Sequence, residues 1–318
     1  MAQQQQEGDD HPKAAAKGAE KHFVSLIATN FSNTTEVTLP SLEDFDLFRH
    51  LCSMDVTKDG ALGNEQVSLL TRPSDAYELI RAPLTIEATA DNNSGAEGTT
   101  TTSGKEKTTF LYRLSLEDDQ IDSKTMYRML HDAQFRKKWD TYMNKGFNVA
   151  QITDYCDVGY YSFKIPMMTM RYSLAKRCWH EWSVNEYAIF NHSVKELPIC
   201  EKVYEENKAS EVKKAIKIVS YITGYYMKTD PETKKTKFVY ITCSDIRSSI
   251  PKMVMNLAIK SNIPSFVKKL IQNCKDYPAF AEANPNTIDD KIFSGQKPCQ
   301  KDSNEYKKHQ DSLLNFLK

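Results

Sequence analysis

Six stretches of strand-forming residues follow one another through the middle of this 318-residue chain. They are residues 147–154, 157–165, 171–183, 186–194, 212–228 and 236–245, and they predict one long antiparallel meander. In the fifth stretch, period-two alternation places one set of side chains on a common face: Val219, Tyr221, Thr223, Tyr225 and Met227. The opposite face is also partly apolar. A strand of this kind is expected to pack on protein with one face and to line a cavity with the other.

Helical patterns flank the predicted sheet. Ser41 is a plausible N-cap for a helix in which Leu42, Phe45, Phe48 and Leu51 fall at helical spacing. Two further strands, 65–71 and 108–116, and a second helix over 123–132 precede the meander. After the meander, a helix that begins at Pro251 carries an apolar stripe, which includes Val254, Leu257 and Ala258. Pro264 is expected to kink or restart this helix near residues 261–262.

The length favours one main domain with polar tails. We predict a polar, disordered N-terminal tail over 1–39, an α+β domain over 40–280 and a polar C-terminal tail over 281–318. The run at about 90–107 is rich in Ser, Gly and Thr. Because such a run buries too little apolar surface to offset its ordering entropy, we expect a mobile insertion there.

Composition and motifs exclude several classes of protein. The 42 basic residues equal the 42 acidic ones, so no net field attracts nucleic acid or an acidic membrane. The seven cysteines are scattered without a C-x-x-C pair, which predicts reduced thiols in the cytoplasm and no metal site. The sequence has neither a secretory signal nor the roughly 18 apolar residues of a membrane span. The common nucleotide-binding and hydrolase motifs are also absent, so we expect neither an enzyme nor a cofactor.

One short helical segment combines charge with a large apolar side chain. Arg136 and Asp140 stand one helical turn apart, beside Trp139. The strand that follows carries Tyr161, Phe163 and Ile165 on one face. Alone, the charged pair is typical of a surface ion pair beside a core tryptophan. Together with the strand, it predicts an apolar enclosure that contains one buried charge.

Several separated motifs resemble one known family. They are Leu130–Asp140 (LHDAQFRKKWD), Asp157–Pro166 (DVGYYSFKIP), 191–195 (NHSVK), 220–225 (SYITGY) and 249–256 (SIPKMVMN). Their order resembles the START domain, the lipid-transfer domain related to steroidogenic acute regulatory protein, and its phosphatidylcholine-transfer subgroup in particular. The resemblance implies a helix-grip fold, in which a curved antiparallel sheet and a C-terminal helix enclose one lipid molecule.

The resemblance also implies roles for individual residues. Arg136 matches the position that holds the lipid phosphate, and Asp140 matches the carboxylate that orients this arginine. Tyr161 and Tyr221 match aromatic positions that contact choline through cation–π interactions, and Thr223 matches a polar cavity residue. The remaining predicted lipid contacts are Phe163, Tyr225, Val254, Leu257 and Ala258.

The sequence leaves open which lipid headgroup is bound and how the protein acts. Met170-Arg171-Tyr172 replaces the family's Asn-Arg-Asp, and Ser173 stands where another aromatic residue is expected. Phosphatidylcholine is therefore the first choice, with phosphatidylethanolamine open. We expect a cytoplasmic monomer that moves one glycerophospholipid between membranes and touches them transiently through its C-terminal helix and adjoining loops. The alternatives are a lipid-sensing interaction module and a sterol carrier.

Overall fold

The computed structural model describes residues 38–54, 68–71, 76–87, 106–165, 168–247, 252–285 and 298–316. The helices of these segments are α1 Leu42–Ser53, α2 Ser123–His131, α3 Ala133–Trp139, α4 Cys200–Glu206, α5 Lys252–Ala283 and α6 Asn304–Phe316. The strands are β1 Ser68–Leu69, β2 Tyr77–Glu87, β3 Glu106–Asp118, β4 Met143–Thr153, β5 Cys156–Phe163, β6 Arg171–Ser183, β7 Glu186–Ser193, β8 Ile216–Lys217, β9 Val219–Thr229 and β10 Thr236–Asp245. No helix in these segments is long and apolar enough to cross a membrane.

The strands form one sheet in the order β1-β2-β3-β10-β9-β7-β6-β5-β4. Every neighbouring pair in this order is antiparallel, and β8 runs parallel to the start of β6. Register shifts in the β4–β5, β6–β7 and β9–β10 pairs bend the strands. The predicted α+β class, a curved antiparallel sheet with a C-terminal helix, is confirmed.

Helix α1 covers the outer face of the sheet. Ser41 caps it as predicted: Ser41 Oγ accepts a hydrogen bond from the Asp44 backbone, and the Asp44 carboxylate accepts one from the Ser41 backbone. Phe45 and Phe48 are fully buried against Phe190 of β7, with ring centroids 4.6 and 5.4 Å away. The spacing of the apolar residues therefore predicted both the helix and its buried face.

Helix α5 packs on the inner face and on α3. Its Phe266 contacts Tyr240 of β10, and its Tyr277 and Phe280 contact Phe135 of α3. The helix continues without a break through Pro264, so the predicted restart near residues 261–262 is not observed. A proline removes one helical hydrogen bond, and burial of the residues that follow it holds the next turns in place.

Several elements differ from the sequence prediction: helix α4 was not predicted, and the single strand predicted over 212–228 divides into β8 and β9. Strand β2 was not predicted. It contains Pro83, a residue that argues against a strand, and yet β2 pairs with β3 along its whole length. Helix α6 lies in the predicted polar C-terminal tail. Its Tyr306 and Leu313 are buried in the main core, and Tyr306 Oη donates a 2.7 Å hydrogen bond to the Leu39 carbonyl. The predicted N-terminal tail and mobile insertion lie almost wholly outside the described residues.

Strand β6 illustrates how the sheet supports two different surfaces. Its even-numbered residues Tyr172 and Leu174 face a separate apolar core under α4, where Tyr160 and Tyr204 also pack. Its odd-numbered residues face the opposite way and contribute to a cavity on the inner face.

Candidate ligand cavity

A cavity of about 280 Å³ lies on the inner face of the sheet. Helices α2 and α3, strands β5, β6, β7, β9 and β10, and the residues next to these strands supply its wall. The lining residues are Leu130, Arg136, Tyr161, Phe163, Ile165, Arg171, Ser173, Ala175, Arg177, Ile189, Asn191, Ile218, Ser220, Thr223, Tyr225, Tyr240, Thr242, Ser244 and Ile246. Four predicted contacts therefore meet in one cavity with Arg136: Tyr161, Phe163, Thr223 and Tyr225. The side chains of Val254, Leu257 and Ala258 lie outside the described residues.

Arg136 is held by Asp140 at the wall of the cavity. Asp132 is the N-cap of helix α3, where its carboxylate accepts hydrogen bonds from the first turn, and Asp140 is the C-cap. Arg136 Nε donates a 3.2 Å hydrogen bond to one Asp140 oxygen, while the other oxygen accepts from the Tyr142 backbone. Both partners are largely buried, with 21% and 17% of their side chains exposed. The short helix therefore places an oriented guanidinium in the cavity.

Three tyrosines surround this guanidinium. It lies 5.8 Å from the Tyr161 ring centroid, and the Tyr225 and Tyr240 rings stack with centroids 5.0 Å apart. Burial raises the pKa of Tyr225, although Arg136 acts against this shift, and burial also raises the pKa of Tyr240. Burial alone would lower the pKa of Arg136, but Tyr225, Asp140 and Tyr161 raise it. The phenols of Tyr225 and Tyr240 therefore stay neutral, and Arg136 stays charged. Tyr240 was not predicted as a lining residue. It lies two positions before Thr242 on β10, so the two side chains face the same side of the sheet.

Tyr221 is not among the lining residues of the cavity. In the β9–β10 ladder, Ile222 pairs with Cys243, but Ser220 pairs with Ser244, so Tyr221 is an extra residue in a β-bulge. The bulge reverses the alternation, and Ser220 faces the cavity together with Thr223. The predicted position of Tyr221 beside Thr223 and Tyr225 is therefore corrected. A bulge of this kind leaves no mark in the period-two pattern.

A row of hydroxyl groups follows the bulge. Ser220 Oγ lies 2.9 Å from Thr223 Oγ1 and 3.2 Å from Ser244 Oγ, and Thr223 Oγ1 lies 3.1 Å from Thr242 Oγ1. Asn191 on β7 pairs with Thr223 in the sheet. Its Oδ1 is buried and makes no hydrogen bond within the part of the chain that is described. This wall can both donate hydrogen bonds to a ligand and accept them.

Two more arginines, Arg171 and Arg177, line the cavity, and neither was predicted as a lipid contact. Arg177 makes a bidentate pair with Asp157, at 3.1 Å from Nε to Oδ1 and 2.5 Å from Nη2 to Oδ2. Arg171 is 5% exposed and donates to the main-chain carbonyls of Thr169, Ile246 and Arg247. Both are odd-numbered residues of β6, the strand face that lines the cavity, and this alternation is the signal that could have identified them. Among the described residues, no group of His, Cys, Asp and Glu could hold a metal ion.

The comparisons with known proteins agree with this architecture. The START domain family model matches residues 91–279, more than half of the chain. The chain is 30% identical over 179 residues to START domain-containing protein 10 of Homo sapiens, and equally to that of Mus musculus. This region covers 56% of the chain and 57% of each relative, so the chain spans little more than half the length of the curated relatives it matches.

A solved structure resembles the fold over a longer region. The crystal structure of human STARD10 matches with a TM-score of 0.60 and 25% sequence identity, covering 83% of this chain and 91% of that chain. The two proteins therefore share the overall fold, with a curved antiparallel sheet and a C-terminal helix. On the family match and this structural similarity, the chain belongs to the START domain family, whose members bind lipid ligands.

Proposed function

We propose that this protein encloses one glycerophospholipid and carries it between membranes, with the lipid phosphate bound to Arg136. The observation that carries the proposal is the largely buried guanidinium in the inner-face cavity of a START sheet. Its hydrogen bond to Asp140 uses Nε, so the terminal η nitrogens can donate two parallel hydrogen bonds to a phosphodiester. In the proposal, Asp140 orients the arginine, and Tyr161 and Tyr225 shield the ion pair from water.

Loading requires the cavity to expand. Its volume of about 280 Å³ lies just below the range of about 300–1,000 Å³ that small-ligand pockets occupy, and a two-chain lipid is larger than such ligands. Helix α5 is the movable element in this proposal, because its Phe266 contacts Tyr240, one of the lining residues on the inner face of the sheet. Displacement of α5 and the adjoining loops at a membrane surface would admit the acyl chains. We propose that the protein acts in this way as a cytoplasmic monomer.

Vesicle transfer tests the proposal directly. Donor vesicles contain a fluorescent phosphatidylcholine or phosphatidylethanolamine, the two lipids that the resemblance favours, and acceptor vesicles contain none. We expect the protein to accelerate transfer, and Arg136→Met to slow it by roughly a hundredfold. Two charge-assisted hydrogen bonds contribute about 3 kcal/mol or more, and each 1.4 kcal/mol changes affinity about tenfold. Faster transfer of a labelled sterol than of either phospholipid would contradict the proposal.

Arg49→Met is the matched control. Arg49 lies on α1, on the outer face of the sheet, where it pairs with Glu186. The substitution therefore removes the same charge and the same kind of ion pair without touching the cavity. Transfer by Arg49→Met should stay close to that of the unmodified protein. Equal rates for Arg136→Met and Arg49→Met would show that the arginine in the cavity does not bind the lipid.

A further inference from the structure

The structure points to the chemistry of the lipid headgroup. We propose that the cavity prefers a phospholipid with an uncharged, hydroxylated headgroup, such as glycerol or inositol, and thus a net charge of about −1. The inference rests on the proposed function, since it concerns the lipid that the same cavity would enclose. It differs from the zwitterionic headgroups that the sequence favoured, and three observations on the cavity wall carry it.

The first observation is a polar row that crosses the inner face of the sheet. Register pairs Asp157 with Arg177, Arg177 with Asn191, Asn191 with Thr223, and Thr223 with Thr242. Five neighbouring strands thus each place one polar residue at the same level. Directly paired side chains stand about 5 Å apart, so the row spans most of the cavity. Asp157 is paired with Arg177 and is not among the lining residues, so a ligand that enters the cavity meets the guanidinium of Arg177, the amide of Asn191 and then hydroxyl groups.

The second observation is the hydrogen-bonding capacity left within that row. The carbonyl oxygen of the Asn191 amide is buried without a hydrogen bond among the described residues, and a buried polar group of this kind is costly unless a partner is supplied. The neighbouring hydroxyls of Thr223 and Thr242 both donate and accept. A ligand hydroxyl has the same double capacity and fits this wall. A quaternary ammonium offers neither a donor nor an acceptor.

The third observation is the charge of the wall. Arg136 is paired with Asp140, and Arg177 is paired with Asp157. Arg171 is bound by main-chain carbonyls and makes no ion pair within the described segments. The three arginines and two carboxylates leave one positive charge uncompensated. Because an unbalanced buried charge is unfavourable, a lipid whose only charge is its phosphate neutralises this cavity, whereas a zwitterion does not.

The aromatic residues offer little for choline. Tyr161 already has the Arg136 guanidinium beside its ring, and Tyr225 and Tyr240 stack on each other. A choline site requires ring faces turned toward one common point. Tyr221, which would have added another ring, is not in the lining. The wall is therefore better matched to hydroxyl groups than to a quaternary ammonium.

Lipid competition tests the inference. The full chain is equilibrated with vesicles that contain equal amounts of dioleoyl phosphatidylcholine, phosphatidylethanolamine, phosphatidic acid and phosphatidylglycerol, and the bound lipid is identified by native mass spectrometry. Soy phosphatidylinositol replaces phosphatidylglycerol in a second mixture. We expect phosphatidylglycerol and phosphatidylinositol to be enriched at least tenfold over the zwitterionic lipids and severalfold over phosphatidic acid. Equal binding of phosphatidic acid would show selection by charge alone, and preferred binding of either zwitterion would also overturn the inference.

Two variants separate the contributions. Asn191→Leu should lower the ratio of phosphatidylglycerol to phosphatidic acid by about tenfold, because the amide that meets the headgroup hydroxyl is lost. Arg171→Met should lower the ratio of phosphatidylglycerol to phosphatidylcholine. Both ratios are measured within one variant, so a change in overall stability does not alter them. Asn207→Leu, at the exposed end of α4, is the matched control and should leave both ratios unchanged. Unchanged ratios in Asn191→Leu and Arg171→Met would refute the inference, whereas no bound phospholipid at all would refute the proposed function itself.

Discussion

His131 makes the stability of this fold sensitive to mild acid. Its side chain is 7% exposed, and neither ring nitrogen has a hydrogen-bond partner among the described residues. The ring packs edge-on against Tyr127 and Trp179, with centroids 4.6 and 5.0 Å away. Burial, with a smaller effect from the charge of Arg177, lowers the pKa of His131 well below its ordinary value of about 6.5. The folded protein therefore holds this imidazole neutral.

The size of the effect follows from proton linkage. Below about pH 6.5 the unfolded chain binds a proton at this histidine and the folded chain does not, so the free energy of unfolding falls as pH falls. Each pH unit costs up to about 1.4 kcal/mol while the folded protein keeps the imidazole neutral, and because the unfolded imidazole is already half protonated at pH 6.5, the loss between pH 6.5 and 4.5 is about 2.3 kcal/mol. His192, whose pKa burial lowers to about 3, adds a similar loss over the same window. Together they remove about 5 kcal/mol, comparable with the whole stability of a small domain.

Urea unfolding of the unmodified protein and His131→Phe, followed by tryptophan fluorescence, measures this loss. Phenylalanine keeps the aromatic contacts and removes the titrating group, so the variant should match or exceed the stability of the unmodified protein at pH 7.5. Between pH 6.5 and 4.5 it should lose about 2.3 kcal/mol less. All other groups titrate alike in both proteins and cancel in the comparison. Identical pH dependence would show that His131 becomes protonated in the folded state, and the argument from burial would be wrong.

Three further perturbations test the packing. A Cβ at Gly224 would lie 2.4 Å from Cζ of the buried Phe48, so Gly224→Ala should destabilise the fold by about 1–3 kcal/mol, measured by thermal unfolding; an unchanged melting temperature would show that α1 can shift. Arg177→Met leaves Asp157, which is 2% exposed, without its ion-pair partner, and should cost about 3–5 kcal/mol that a second substitution, Asp157→Leu, largely restores. No recovery would mean that the arginine is needed for packing. Removal of residues 298–316 exposes the surface that two buried apolar side chains of α6 now cover. The free energy of unfolding should fall by about 3–6 kcal/mol. An unchanged free energy of unfolding would contradict this expectation.

The sequence predicted those helices and strands that are determined by residues close together in the chain. The cap at Ser41 and the spacing of Phe45 and Phe48 predicted α1, and strand composition located β6 and β10 at the residues where they occur. Helix α6 was not predicted, because its buried residues Tyr306 and Leu313 are seven positions apart in a polar segment. Two such residues show no amphipathic stripe. Their burial depends on residues that are distant in the chain, such as Leu39, whose carbonyl accepts the hydrogen bond from Tyr306.

The candidate site was predicted only where a motif marked it. Arg136 and Asp140 lie one turn apart and could be paired from spacing alone. The pairing of Arg177 with Asp157 and the level shared by Asn191 and its neighbours depend on register across strands. Register is set by turns and bulges, which periodicity does not reveal. The polar row of the cavity could therefore be found only from the assembled sheet.

The bulge at Tyr221 connects this register to the chemistry of the cavity. In a regular strand with Thr223 facing inward, Tyr221 would face inward as well, and the wall beside Thr223 would be aromatic. With one residue inserted, Ser220 takes that place and bonds to Thr223 and Ser244. A wall suited to a quaternary ammonium thereby becomes a wall of hydroxyl groups. The proposed headgroup preference thus depends on a local irregularity of the sheet. A relative with the same motifs but a regular strand at this point would present a different surface to its lipid.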